Sequence, residues 1–287
     1  MQGLFIGMAT LDTVYFSTSV PSSNQKISAS DFTMAAGGPA ANAAATFSYL
    51  GNRALLLAVI GKHPIAQLLR SDLAERGVEI RDLDPQQSQP PPLSSIIVTQ
   101  STGDRAVISM NAAKIQVSED KVSPEVLAGV DLVLIDGHQM AASIAIAKFA
   151  TSKGIPVVID GGSWKPGYDR VLPFVDYAIC SANFYPPNCP TFEDVLTYLA
   201  DVGIANIGIT KGGKPIQVLS QGRRTQIEVP KIDPVDTLGA GDIFHGAFCH
   251  YILRQNFLDA LTSASQVAAR SCQFFGTRQW MSEGIGG

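Results

Sequence analysis

The stretch Asp236-Thr237-Leu238-Gly239-Ala240-Gly241-Asp242 sets small residues between two aspartates and runs straight into the apolar segment IFHGAFCHYIL. Ile243, Phe244, Ala247, Phe248, Tyr251 and Ile252 then recur at helical spacing, so the loop feeds a helix N-terminus. The first N–H groups of such a helix have no intrahelical acceptor, and the helix dipole adds positive charge, so the backbone of Gly239, Ala240 and Gly241 can serve as an anion hole. Asp242 falls in the first turn, where the positive helix end is expected to keep it ionised. A carboxylate beside a phosphate-sized anion hole suits removal of a proton from a hydroxyl attacking a phosphoryl group. A routine helix cap would also place an aspartate there, so the loop alone does not decide.

Other chemistries are disfavoured by what is missing. No G-x-x-x-x-G-K-[ST] loop occurs, and Gly239, Gly241 and Gly246 are misspaced for a dinucleotide fingerprint. His63, His138, His245 and His250 carry no zinc spacing, and Cys180, Cys189, Cys249 and Cys272 carry no C-x-x-C. The cysteines read as reduced apolar residues of a cytoplasmic protein. A net charge of −4 argues against nucleic-acid binding, and the longest apolar runs, such as RALLLAVIG, are too short to span a membrane.

The elements that must hold this loop alternate along the chain. Strand-like runs at Leu4–Ala9, ALLLAVIG, DLVLIDG, IPVVIDGG, DYAIC and ANIGIT are separated by helical segments. One helix, TFEDVLTYLADVG, opens with Thr191 and Asp194 at capping-box spacing. This alternation predicts one α/β domain over residues 1–287, a doubly wound, mostly parallel sheet flanked by helices. Residues 13–35 and 94–110 break the pattern. They read as β-strands with turns, TGDR at Thr102–Arg105 among them, and are expected to form a small β-lid from two insertions.

AAGGPAAN at Ala35–Asn42 puts two glycines before a helix with Asn42 on its first turn, and Asp12 is expected to close the first strand in GMATLDTVYF. With D-T-x-G-A-G-D near the end, these motifs resemble the ribokinase-like, or PfkB, carbohydrate kinase family over nearly the whole chain. LDTV, GGPAAN, KPG at Lys165 and VDTLGAGD…SQVAARSC are most similar to its ketohexokinase branch. The resemblance implies an ATP-dependent kinase acting on a small sugar such as a ketose, with Mg²⁺ and, as in some members, a monovalent cation such as K⁺. It implies Asp242 as general base, and Asp12, Gly37, Gly38, Asn42 and Arg105 as substrate-binding residues. Thr210 and Gly212 would line the nucleotide phosphates, Ser265 and Ala268 the adenine, and Asp236 the monovalent cation. Asn183 would lie in the Mg²⁺ region, but Pro186 stands where the family's N-x-x-E motif has its glutamate. Two further readings stay open: a nucleoside kinase of the same family, for which Tyr15, Phe16 and Phe32 could wall a base pocket, and a catalytically silent sugar- or nucleotide-binding protein. Open lid edges would also allow a homodimer.

Overall fold

The computed structural model describes residues 1–110 and 115–282. Its main sheet has nine strands: β1 (Gln2–Ile6), β4 (Arg53–Ala58), β5 (Val78–Asp82), β8 (Leu132–Ile135), β9 (Val157–Gly161), β10 (Tyr177–Ser181), β11 (Asn206–Lys211), β12 (Lys214–Ser220) and β13 (Arg223–Ile227). Across the sheet they run β13-β12-β11-β10-β9-β8-β1-β4-β5, parallel except at β12 and β13. That antiparallel hairpin turns at Gln221 and Gly222, both at positive φ.

The parallel strands are apolar on both faces because helices cover both. Phe5 of β1 packs in the core with α1 (Pro39–Tyr49), α2 (Ala66–Glu75), α6 (Ala240–Ile252) and α7 (Phe257–Ser271). Its neighbours Leu4 and Ile6 join the opposite core, with α3 (Met140–Ser152), the short α4 (Tyr168–Val171) and α5 (Phe192–Asp201). Thr191 and Asp194 close the expected capping box at the start of α5.

A second sheet of four strands runs β3-β2-β6-β7, built from β2 (Thr10–Ser17), β3 (Asp31–Gly37), β6 (Leu93–Thr99) and β7 (Arg105–Ser109). β1 ends at Ile6, so Asp12 does not close the first strand as expected; it is the third residue of β2. Five residues separate Ile6 from Asp12 because the chain crosses from one sheet to the other there.

All four cysteines are free and buried. Burial pushes the Cys180 and Cys249 thiols well up, and the nearby Asp160 carboxylate adds to it. The native protein should therefore react slowly with Ellman's reagent and release its full thiol count only in denaturant. Rapid native labelling of Cys180 or Cys249 would contradict this packing.

Candidate active site

Two helix N-termini point into the region between the sheets, and the chain treats them differently. α1 starts at Gly38 (φ 94°) with Pro39 in its first turn and no side-chain cap of its own. Its Ala40 N–H is taken by the Asp136 carboxylate at 3.1 Å. Asp136 also accepts from the backbone of Met8 (2.9 Å) and His138 (2.8 Å), and His138 Nδ1 lies 3.1 Å away. Burial works to raise its pKa, but the His138 charge and these hydrogen bonds outweigh it and hold the carboxyl below its ordinary value. The first N–H of α1 is thus taken from within.

α6 is left open. Its N-cap, Gly239, sits at φ 67°, and a Cβ there would stand 2.8 Å from Thr277 Cγ2, so only glycine fits. Ala240 N–H reaches the Thr237 carbonyl at only 3.4 Å, and among the described residues no carbonyl takes the N–H groups of Gly241 or Asp242. A Cβ on Gly241 would meet nothing within 4 Å. Packing does not require that glycine; the close approach of a ligand would.

Asp242 stands in this first turn, where Asn42 Nδ2 donates to its Oδ2 at 2.8 Å. The helix end does not dominate its charge, as the sequence suggested. Burial, then the Asp160 carboxylate, raise its pKa to about 7, against the Asn42 hydrogen bond. The dipole is worth a fraction of what full desolvation beside another buried acid costs. A base near neutrality is well matched to proton abstraction at physiological pH. Asp160 ends β9, also raised by burial, with His245 Nδ1 3.4 Å away opposing.

The inner face of the small sheet confronts this carboxylate. Asp12 pairs in register with Ala35 on β3 and Ser94 on β6, and Ser94 with Ser109 on β7. Asp12, Ser94 and Ser109 therefore form a polar row across three strands. Asp12 Oδ1 accepts from Thr10 Oγ1 at 2.7 Å, and burial raises its pKa against that bond and one from Ser94. A Cβ on Gly37 would stand 1.9 Å from Asp12 Oδ2, and one on Gly38 2.6 Å from the Met8 carbonyl. The two glycines let β3 and α1 close onto Asp12, whose charge is felt at Asp242. Arg105 reaches from β7 to Thr237, with Nη1 3.0 Å from Oγ1, and so ties the small sheet to the glycine loop.

The other expected residues have local partners of their own. Thr210 ends β11 with its hydroxyl 3.4 Å from the Cys180 carbonyl, and Gly212 follows at φ 55° with open space where a Cβ would be. Ser265 and Ala268 are buried on α7; the Ser265 hydroxyl bonds the Thr262 carbonyl at 2.7 Å, leaving shape rather than a hydrogen bond to offer a base. Asp236 is buried, accepting from Leu238 N–H (2.8 Å) and Gly276 N–H (2.9 Å). A cation at that loop would be met by carbonyls, not by this carboxylate. Asn183 is exposed and Pro186 buried. No group of three or more His, Cys, Asp or Glu among the described residues could hold a metal ion.

Sequence reasoning passed over Asp136, Asp160 and Arg278. The two aspartates had a signal: each follows a buried apolar strand and precedes glycine, and ligands in open α/β sheets sit at such carboxyl ends. Arg278, buried against Asn42, had none.

Residues 4–283 match the pfkB family of carbohydrate kinases. The chain belongs to this family. As a pfkB carbohydrate kinase it is a phosphotransferase with an alcohol group as acceptor. It is 23% identical to the ribokinase of Bacillus subtilis over 96% of this chain and 94% of that one. It is 24% identical to the deoxyribokinase of Salmonella typhi over 89% and 87%. The Arabidopsis thaliana ribokinase structure, complexed with ribose and ATP, superposes with a TM-score of 0.77 at 23% identity over 96% and 93% of the two chains. The pfkB kinase thus has the ribokinase-like fold, and no described helix is long and apolar enough to cross a membrane.

Proposed function

We propose that the chain transfers the γ-phosphoryl group of ATP to a hydroxyl of a small sugar, with Asp242 as base and the Gly239–Gly241 backbone as anion hole. The observation that carries this reading is the open start of α6 with a partly buried carboxylate held in its first turn by Asn42. Asp242 takes the proton as the oxygen attacks, and the N–H groups of Gly241 and Asp242 stabilise the charge moving with the phosphoryl group. Asp12, Asn42 and the Gly37–Gly38 backbone hold the acceptor's other hydroxyls, and the small sheet excludes water. Thr210 and Gly212 border the nucleotide phosphates, consistent with the ATP named for the Arabidopsis relative. Ser265 and Ala268 would shape the adenine pocket. Mg²⁺ would arrive on the nucleotide phosphates, neutralising their charge with few protein ligands beyond the Asn183 region. Carbonyls at Asp236 and Leu238 are where K⁺ would bind.

A sugar is favoured over a nucleoside by the faces of the small sheet. Tyr15 and Phe32 pack together, 5.2 Å between centroids, on the face away from Asp12, whereas Phe16, on the same face as Asp12, is packed on Phe275 4.9 Å away. The polar row of Asp12, Ser94 and Ser109 is left for the acceptor. The outer face exposes Tyr15, Phe32, Met34 and Ile108, which supports pairing of two copies through this sheet. The test is ADP release over a panel of ketoses, pentoses, deoxypentoses and nucleosides. We expect turnover with a sugar, a ketose such as fructose among the candidates. Turnover with nucleosides alone would overturn the acceptor class, and turnover with none would favour a silent binder.

A further inference from the structure

Arg278 follows α7, outside every motif, yet is only 7% exposed. Its Nη1 donates to Asn42 Oδ1 at 2.9 Å and to Thr277 Oγ1 at 3.1 Å. Its Nη2 donates to the Ala36 carbonyl at 2.6 Å, and Nε faces Asp72 Oδ2 at 3.3 Å. Asp72 in turn accepts the Ala36 N–H at 3.1 Å. The guanidinium thus grips the last residues of β3 before Gly37, the first turn of α1 and the body of α2.

One of these bonds bears on the chemistry. A guanidinium only donates, so the atom of Asn42 that faces it must be the carbonyl oxygen. The amide NH₂ is then forced toward Asp242. Rotated by half a turn, the same amide would set its oxygen against the carboxylate, two acceptors face to face, and would leave a buried guanidinium hydrogen unpaired. No other described side chain bonds Asn42 Oδ1.

We propose that Arg278 is a positioning residue: it locks the Asn42 amide so that Nδ2 always donates to Asp242 and the remaining carboxylate lone pairs face the acceptor hydroxyl. This rests on Asp242 being the base, and it adds that the base is set from a residue touching neither substrate nor phosphate. Loss of Arg278 frees the amide to turn. Asp242 then loses a donor to its ionised form, and the carboxyl holds its proton to higher pH.

The experiment is a double-mutant cycle with pH–rate profiles on purified full-length protein. In Arg278→Met, kcat should fall about 10- to 100-fold, as when supporting partners of site groups are lost, and the acid limb should move to higher pH. With Asn42→Ala already present, adding Arg278→Met should cost less than about threefold, because the two act through one interaction. Arg278→Lys, which keeps a cationic donor, should recover part of the rate. Additive losses with the acid limb unmoved would make Arg278 a structural clamp only and overturn the proposal. If Arg278→Met does not fold, the limb position in Arg278→Gln decides, since a neutral amide no longer dictates which end of Asn42 faces it: a shift supports positioning, and a wild-type limb refutes it. Asp242→Asn run in parallel separates the two claims. If that variant stays active, the base assignment fails; if it is inactive while the Arg278 series leaves the limb unmoved, only the positioning role fails.

Discussion

Asp242→Asn is expected to abolish turnover while the protein folds and binds nucleotide nearly as before. The substitution keeps the volume of the side chain and its place in the first turn of α6, but removes the group that takes the proton. General-base removal costs about 10² to 10⁴ in rate. Because burial and Asp160 raise the Asp242 pKa to about 7, the wild-type enzyme should show the base directly in its pH profile. Activity needs the ionised carboxylate, so kcat should fall as pH drops through about 7 and level off above it. Asp160→Asn removes a neighbouring negative charge, so the acid limb should then move to lower pH. Retention of most of the wild-type rate in Asp242→Asn, measured as ADP release, would sink the base assignment. Nucleotide affinity measured alongside separates lost chemistry from lost binding.

Gly246→Ala should lower both stability and rate, although alanine is the better helix former by roughly 1 kcal/mol. Gly246 lies where α6 crosses α1, and an added Cβ would stand 2.3 Å from the Ala43 carbonyl and 2.7 Å from Thr46 Cβ. Those are backbone and β-branched atoms with nowhere to go, and α1 is lined with fully buried alanines that already allow the closest approach. Overpacking of this kind costs about 1–3 kcal/mol. Any relief must separate the helices, and that lengthens the 2.8 Å bond from Asn42 to Asp242. We expect a lowered Tm together with a reduced kcat. Gly208→Ala is the control, since its Cβ would find only ordinary contacts at 3.4 Å and beyond. Equal stability in the two variants would show that α6 does not depend on this crossing.

The reach of the sequence follows from where each signal is written. The parallel strands were legible because burial on both faces writes continuous apolar runs. The hairpin of β12 and β13 was not, since it alternates and turns on Gln221-Gly222, outside the usual hairpin dipeptides. Asp242 and Asn42 could be picked out because each sits at a small-residue motif, where backbone must approach a ligand; Asp12 stood out only through the family resemblance. The charge state of Asp242 escaped, because Asp160 comes beside it only through the order of strands. Arg278 escaped for the same reason: its partners are Ala36, Asn42 and Asp72, and nothing local marks it.

The bonds from Asn42 to Asp242 and to Arg278 span 200 and 236 positions of the chain. A ribosome adding about 5–20 residues per second needs roughly 10–40 s to travel from the first of these residues to the second. Throughout that interval the alanine face of α1 has been synthesised and α6 has not, so an apolar surface built for close contact waits without its partner.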